Sequence, residues 1–233
     1  MKPKQLKPPC SWEDRRVILD DGILFVPDYF DAYDSFTFPG WDSPEVFGTQ
    51  RPVHVEFCSG NGTWIAEKAQ QHPDVNWVAI EIRFDRVRKI WSKKKNLGLD
   101  NLFVVCGEGL RSSHHYFPEG SVDTVYVNFP DPWPKKRHAK HRIIQAPFAA
   151  EAERILRDGG QCVLVTDDVP YSEQMIDVMR AHGAFAPVHG DADYLTETDG
   201  YGNSFFEQLW RRKGRGIRYH FYRKEAAVCA AQC

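Results

Sequence analysis

Asp131 is the single carboxylate in a loop built to be stiff. It lies in Asn128-Phe129-Pro130-Asp131-Pro132-Trp133-Pro134, where prolines at every second position remove three backbone donors and bar continued sheet or helix. Lys135, Lys136, Arg137, Lys140 and Arg142 follow directly, with His138 and His141 among them. An acid, a stacking surface in Trp133 and a run of cations on a rigid loop suit a base carried on a polyanion. Taken alone, the stretch also reads as a proline-kinked surface loop entering a solvated basic helix. Four more acids stand at or just past the ends of short apolar runs: Glu56, Glu81, Glu108 and Asp167.

Those runs are the elements that must position the acids. Residues 53–57, 76–82, 102–106, 122–127 and 161–166 are short, continuous and apolar, as strands buried on both faces are. Between them, 63–71, 84–95 and 171–182 carry apolar residues at helical spacing. Residues 138–157 read as a helix kinked or restarted near Pro147 and ended by Asp158-Gly159-Gly160. Alternating strand and helix predicts an α/β fold with a doubly wound, mostly parallel sheet. Residues 184–188 and 217–222 are expected to pair around a long polar loop and add a C-terminal antiparallel strand. Residues 1–50, rich in Pro, Asp and aromatics, read as an N-terminal extension packed through its aromatics, with a strand or hairpin around Asp20-Asp21-Gly22 and its first nine residues disordered. Residues 51–224 read as one domain and 225–233 as a frayed tail.

In such sheets ligands bind beyond the carboxyl ends of the strands, where these acids gather. Gly60 and Gly62 after the first strand let backbone approach a bound molecule, and Glu81 after the second suits two ribose hydroxyls. A dinucleotide site wants G-x-G-x-x-G, but counting from Gly60 the third glycine position is Ile65. An edge lined with acids also opposes a pyrophosphate. S-adenosylmethionine, a sulfonium with an amino group and no phosphate, fits better. A lone G-x-G is otherwise an ordinary turn, and Glu81 alone a solvated strand end.

Net charge is -2, yet the signs are segregated. Residues 83–95 and 211–224 are strongly basic, whereas acids concentrate in 13–45 and 167–199, a pattern that suits one basic face. The first run also reads as a solvated helix face. No apolar run approaches a membrane span, the N-terminus lacks the apolar core of a secretory signal, and the six cysteines form no C-x-x-C pair. Cys58, Cys106 and Cys162, in or beside apolar runs, read as reduced core residues of a cytoplasmic protein. His114, His115, His138 and His141 lack metal-ligand spacing, so no metal is expected.

The residues as a set resemble a known family. Glu56-Phe57-Cys58-Ser59-Gly60-Asn61-Gly62, Ile80-Glu81-Ile82, the 128–142 stretch, Thr166-Asp167 and Ser204-Phe205-Phe206-Glu207 follow the order seen in bacterial tRNA (guanine-N7-)-methyltransferases. The resemblance spans roughly residues 53–222, and its F-P-D-P-W-x-K-x-R-H-x-K-x-R core is highly specific. It implies a Rossmann-like methyltransferase fold, S-adenosylmethionine as cofactor, and tRNA as partner, methylated at N7 of guanine 46 in the variable loop. It further implies that Glu56, Glu81, Glu108 and Asp131 hold the cofactor. Asp131 is also the catalytic candidate, since a carboxylate beside the base would stabilise the positive charge that moves from sulfur toward the purine. Lys135, Asp167 and Ser204 to Glu207 would meet the tRNA or its guanine. Three positions depart from the family: Cys58 replaces a glycine, Glu108 an aspartate, and Ser204-Phe205 a Thr-Lys pair. The state of assembly, monomer or homodimer, is left open. So are two rivals: an RNA-binding module that kept the fold without catalysis, and an amine methyltransferase with an N-P-P-Y-type loop.

Overall fold

The computed structural model describes residues 1–11, 14–27, 32–202 and 205–226, the side chains of Lys136 and Phe205 excepted. Trp12, Tyr29, Phe30, Ser204 and the tail from residue 227 lie outside the described residues.

The sheet starts in the stretch read as an extension. Strands β1 (Ile18–Asp20) and β2 (Ile23–Phe25) pair antiparallel around Asp21 (φ 50°) and Gly22 (φ 70°). Two successive left-handed residues give a hairpin turn whose twist matches that of its strands. β2 then lies parallel to β5 (Leu102–Cys106). With β3 (Val53–Phe57), β4 (Asn76–Glu81), β6 (Val122–Asn128), β7 (Leu156–Thr166), β8 (Phe185–Pro187) and β9 (Arg218–Lys224), the sheet order is β1-β2-β5-β4-β3-β6-β7-β9-β8. β5, β4, β3, β6 and β7 are parallel, and β9 runs antiparallel to both β7 and β8.

Alternate strand residues face opposite sides, which is why these runs are apolar throughout. Val78 and Ile80 join the core on one face, Trp77 and Ala79 that on the other. Helices α1 (Thr63–Gln71) and α2 (Phe84–Leu97) cover the second face with Ile65, Val87 and Ile90. On the first, α3 (Gly109–Tyr116) supplies Tyr116, α4 (Ala146–Ile155) Phe148 and α5 (Val169–His182) Met175. Trp41 and Phe38 from the N-terminal stretch pack on Phe117, with ring centroids 4.8 and 6.5 Å away. The first nine residues, expected to be disordered, include a segment lying along α2. Leu6 is buried, Ser92 Oγ donates to the Met1 carbonyl (2.6 Å), and Arg88 Nε donates to that of Leu6 (2.9 Å).

The structure corrects the reading of 138–157 as one helix. A 3-10 segment occupies Lys136–His141, and α4 starts at Ala146 with Pro147 in its first turn, where a missing N–H costs nothing. Nor does Asp158-Gly159-Gly160 end the helix, because Leu156 already turns extended and β7 runs through all three. Register against β6 jumps there, from Val122↔Leu156 to Thr124↔Gln161. A Cβ on Gly160 would lie 2.8 Å from the Arg157 carbonyl oxygen, so the glycine permits a bulge. α3 and a further helix, α6 (Phe205–Arg212), fall in stretches where no helix was expected.

The basic run on α2 is largely used inside the protein. Lys93 donates to the Asn61 carbonyl, Lys94 to that of Leu102 and Lys95 to Asp21, while Arg83 pairs with Asp85. That accords with a structural face more than with a free cationic one.

Gly62 illustrates how local sequence sets helix packing. It adopts φ 65° as the N-cap of α1, and an added Cβ would meet Ile90 Cγ1 of α2 at 2.6 Å. Gly62→Ala is therefore expected to cost about 1–3 kcal/mol through backbone strain and overpacking. Urea denaturation measures this directly, and a midpoint equal to that of the wild type would refute the close approach.

Candidate active site

A cavity of about 1280 Å³ opens at the carboxyl ends of β3 to β7. Strand order reverses between β3 and β6, so the two chains leave in different directions and a crevice forms between them. The volume exceeds what one nucleoside-sized ligand needs, leaving room for a second planar group.

Glu56, at the end of β3, is 2% exposed. Its Oε1 accepts from Asn128 Nδ2 of β6 at 2.8 Å, across the switch point, while Oε2 is buried with no hydrogen-bond partner among the described residues. Burial pushes its carboxyl up to about 7; the Asn128 bond opposes this and the Glu81 carboxylate adds to it. A buried acceptor left open in a cavity suits a cationic donor from a ligand.

The loop after β3 turns through left-handed residues, Cys58 (φ 59°) and Gly60 (φ 57°). Cys58 thus takes the conformation in which glycine is more at ease, at a cost of about 1–2 kcal/mol, and the turn is kept. Glu81 closes the loop from β4: Oε2 accepts from Gly60 N (2.9 Å), Oε1 from Arg83 N (2.9 Å), and Arg86 lies 3.5 Å away. Glu108 caps α3, accepting from Leu110 N (3.2 Å) and Arg111 N (2.9 Å). Its longer side chain thereby reaches the helix N-terminus, where a carboxylate is favoured.

Past β6 the chain twists through two strained positions, Phe129 (φ 49°) and Trp133 (φ 42°). Asp131 is exposed on the cavity wall between them, and its Oδ1 accepts from Trp133 N at 3.0 Å. Arg142, counted in the sequence among the free cations, instead pins this loop. It donates to the Pro132 carbonyl and to Gln174 Oε1, each at 2.7 Å, and stacks on Tyr171. Trp133 is half-buried against His141 and His138, at 5.2 and 5.8 Å between ring centroids. Lys140 is exposed on the cavity wall, and Lys135 and Arg137 are exposed beyond it.

On the far wall Asp167, past β7, binds Arg215 Nη1 at 2.6 Å, and Arg215 stacks on Trp210 at 4.2 Å. Phe206 of α6 is 41% exposed beside Phe129. Glu207 is buried, accepting from Tyr219 Oη (2.9 Å) and Arg211 Nε (3.2 Å). Phe205 begins α6.

Glu56, Gly60, Glu81, Glu108, Asp131, Asp167 and Phe206 therefore share one cavity. Gly62, Lys135 and Glu207 are not part of its wall: Gly62 packs helices, Lys135 lies beyond the rim, and Glu207 sits on the buried side of α6, held by Tyr219. Sequence reasoning missed Asn128 as the partner of Glu56, and Arg215 and Trp210 as wall residues. The position of Asn128 at the end of an apolar run was the available signal. Among the described residues no group of three or more His, Cys, Asp or Glu could hold a metal, and no helix is long and apolar enough to cross a membrane.

A family model described as a putative methyltransferase matches residues 50–219. The tRNA (guanine-N(7)-)-methyltransferase of Chlamydia felis is 46% identical over 219 residues, covering 94% of this chain and 96% of its own. The chain belongs to the tRNA (guanine-N7-)-methyltransferase family. The relative of the same name from Aliivibrio salmonicida is 36% identical over 185 residues, or 79% of this chain and 78% of that one. Solved structures agree on the fold. The 16S rRNA methyltransferase KamB aligns with TM-score 0.57 at 15% identity, over 77% of this chain and 91% of its own. A 16S rRNA (adenine(1408)-N(1))-methyltransferase from Catenulisporales acidiphilia, crystallised with S-adenosylmethionine, aligns with TM-score 0.54 at 15% identity, over 78% of this chain and 89% of that one.

As a tRNA (guanine-N7-)-methyltransferase family member, the chain is an enzyme whose cofactor is S-adenosylmethionine, and its cavity fits that group. The open Oε2 of Glu56 matches an ammonium. A Cβ on Gly109 would strike Phe57 Cδ1 at 2.8 Å, so the glycine lets the loop after β5 close in tightly on the end of β3.

Proposed function

We propose that this enzyme transfers the methyl group of S-adenosylmethionine to N7 of guanine 46 in the tRNA variable loop, giving 7-methylguanosine. The observation that carries this reading is the joining, in one cavity, of the buried open carboxylate of Glu56 with Asp131 under a cationic rim. Residues 51–224 would form the catalytic domain, completed by the strands and aromatics of the first fifty, and the cytoplasm, where tRNA is modified, would be its place.

In this reading Glu56 receives the cofactor's amino group, Glu81 the ribose hydroxyls, and Gly60, Glu108 and Asp131 complete the cradle. Bound, the cofactor supplies an electrophilic sulfonium methyl. Guanine N7 is an unprotonated lone pair at neutral pH, so no residue need act as general base. The chain's task is orientation and exclusion of water. Asp131, beside the entering base, stabilises the positive charge that develops on the purine. Asp167, once Arg215 releases it, accepts from the guanine N1–H and amino group, and Phe206 packs on the base, while Glu207, held by Tyr219 and Arg211, anchors α6 behind it.

Lys135, Arg137 and Lys140 meet tRNA phosphates. Neutralising them weakens tRNA binding and lowers the slope of log K against log salt by about one for each phosphate no longer neutralised. An unchanged slope would remove them from the interface.

The reading is tested by methyl transfer from labelled cofactor to an unmodified tRNA transcript and to one carrying adenine at position 46, with products digested and weighed as nucleosides. 7-methylguanosine from the first alone supports the reaction, atom and position together. Another methylated atom would favour an amine methyltransferase. Tight binding of both ligands without transfer would favour a module that has lost its chemistry.

A further inference from the structure

The side chain of Asn128 presents a problem that the structure solves elsewhere. A carboxamide has a donor end and an acceptor end of nearly the same shape. Only its NH2 end suits an ionised Glu56; reversed, the amide would set oxygen against oxygen beside a buried carboxylate. Something must fix which end faces Glu56.

Tyr201 does so. Its Oη donates to Asn128 Oδ1 at 2.5 Å, leaving Nδ2 to donate to Glu56 Oε1 at 2.8 Å. The phenol is buried, which raises its ionisation well above 10, so it stays a donor. Tyr201 is itself clamped to α1. Trp64 Nε1 donates to its carbonyl (2.7 Å) and Lys68 Nζ to that of Gly200 (2.6 Å). Gly202 (φ 97°) fits where a Cβ would come within 3.2 Å of Trp64 Nε1. The ring packs on Tyr219 at 5.2 Å, and Tyr219 Oη holds Glu207 of α6.

We propose that Tyr201 and Asn128 form a positioning relay that presents Glu56 to the amino group of the cofactor and fastens the segment leading into α6 to the cofactor site. The inference deepens the function proposed above and rests on it. Neither residue need touch the reacting atoms. Asn128 orients the acid, and Tyr201 orients Asn128. The carboxylate oxygen left unpaired by this arrangement, the buried Oε2, is the one that would receive an ammonium. A cofactor lacking the amino acid end would have no use for the relay.

Calorimetry on the full chain tests this with two probes, S-adenosylhomocysteine and 5′-methylthioadenosine, which lacks the amino acid. Tyr201→Phe keeps the ring and removes only the donor. It is expected to weaken S-adenosylhomocysteine about tenfold and leave 5′-methylthioadenosine unchanged. In an Asn128→Ala background Tyr201→Phe should add no further loss, since the two act in series. Equal weakening of both probes, or of neither, would overturn the relay, the first marking a packing role. So would additive losses in the double variant. If the wild-type chain bound neither probe, the cofactor reading itself would fail, a result distinct from every outcome in the variants.

Discussion

Replacing Asp131 by alanine is expected to abolish nearly all turnover while the fold survives. The side chain is exposed, and its one hydrogen bond among the described residues comes from the backbone N–H of Trp133. Little stability is at stake, so thermal melting should move by no more than about 1 kcal/mol equivalent. The catalytic loss should be on the order of 10²–10³ in kcat, the range typical when a preorganised group facing developing charge is removed. Alanine also frees the Trp133 amide, so positioning and charge must be separated. Asp131→Asn keeps an oxygen for that amide and removes the charge. If electrostatics dominate, both variants fall alike in kcat with little change in tRNA KM. If the loop's shape dominates, the asparagine variant recovers much of the rate. An alanine variant with most of its activity would strike Asp131 from the chemistry altogether.

Glu56→Gln is expected to stabilise the free protein and cripple it as an enzyme. Burial raises the Glu56 carboxyl from 4.5 to about 7, so the folded chain binds its proton more tightly than the unfolded chain does. Between those two values wild-type stability falls as pH rises, and above about 7 the full cost of the buried charge is present. Glutamine carries no charge, so at pH 8 the variant should gain roughly 3 kcal/mol over wild type, and much less at pH 5. Melting curves at the two pH values would show it, and a gain independent of pH would contradict the buried-charge account. The same carboxylate should be needed in ionised form by the cofactor's ammonium. Calorimetry should find the affinity of the variant lowered on the order of 10- to 100-fold, the worth of a charge-assisted hydrogen bond. Wild-type affinity should weaken as pH drops below about 7, where Glu56 takes up its proton. Stability and function are opposed at this one position, as expected where a binding site keeps a buried acceptor waiting for a ligand.

Much of the architecture is determined by the sequence alone, because its signals are local. The five apolar runs could only be strands buried on both faces, and their alternation with helical spacing left little choice but a parallel sheet. The acids at the run ends then had to meet at one edge, and Glu56, Glu81, Glu108, Asp131 and Asp167 do line one cavity. Where the periodic stretch was short, the reading failed. α3 and α6 are amphipathic but only 8 residues each, about two turns, and α3 is further fixed by the Glu108 cap. Asp158-Gly159-Gly160, which locally resembles a helix stop, serves a bulge whose need arises only when β6 lies alongside.

What only the tertiary structure decided is which charges are free. The chain shows cations in a row, but not that Arg142 is bound to Pro132 and Gln174, Lys95 to Asp21, or Arg215 to Asp167. It shows Glu56 and Asn128 seventy-two positions apart, but not that one answers the other across the crevice, with Tyr201 seventy-three further on holding both in register. Residue types set what each group can do. Whether a group is solvated, paired or left open depends on the energy of removing it from water, and partners brought from distant parts of the chain decide that.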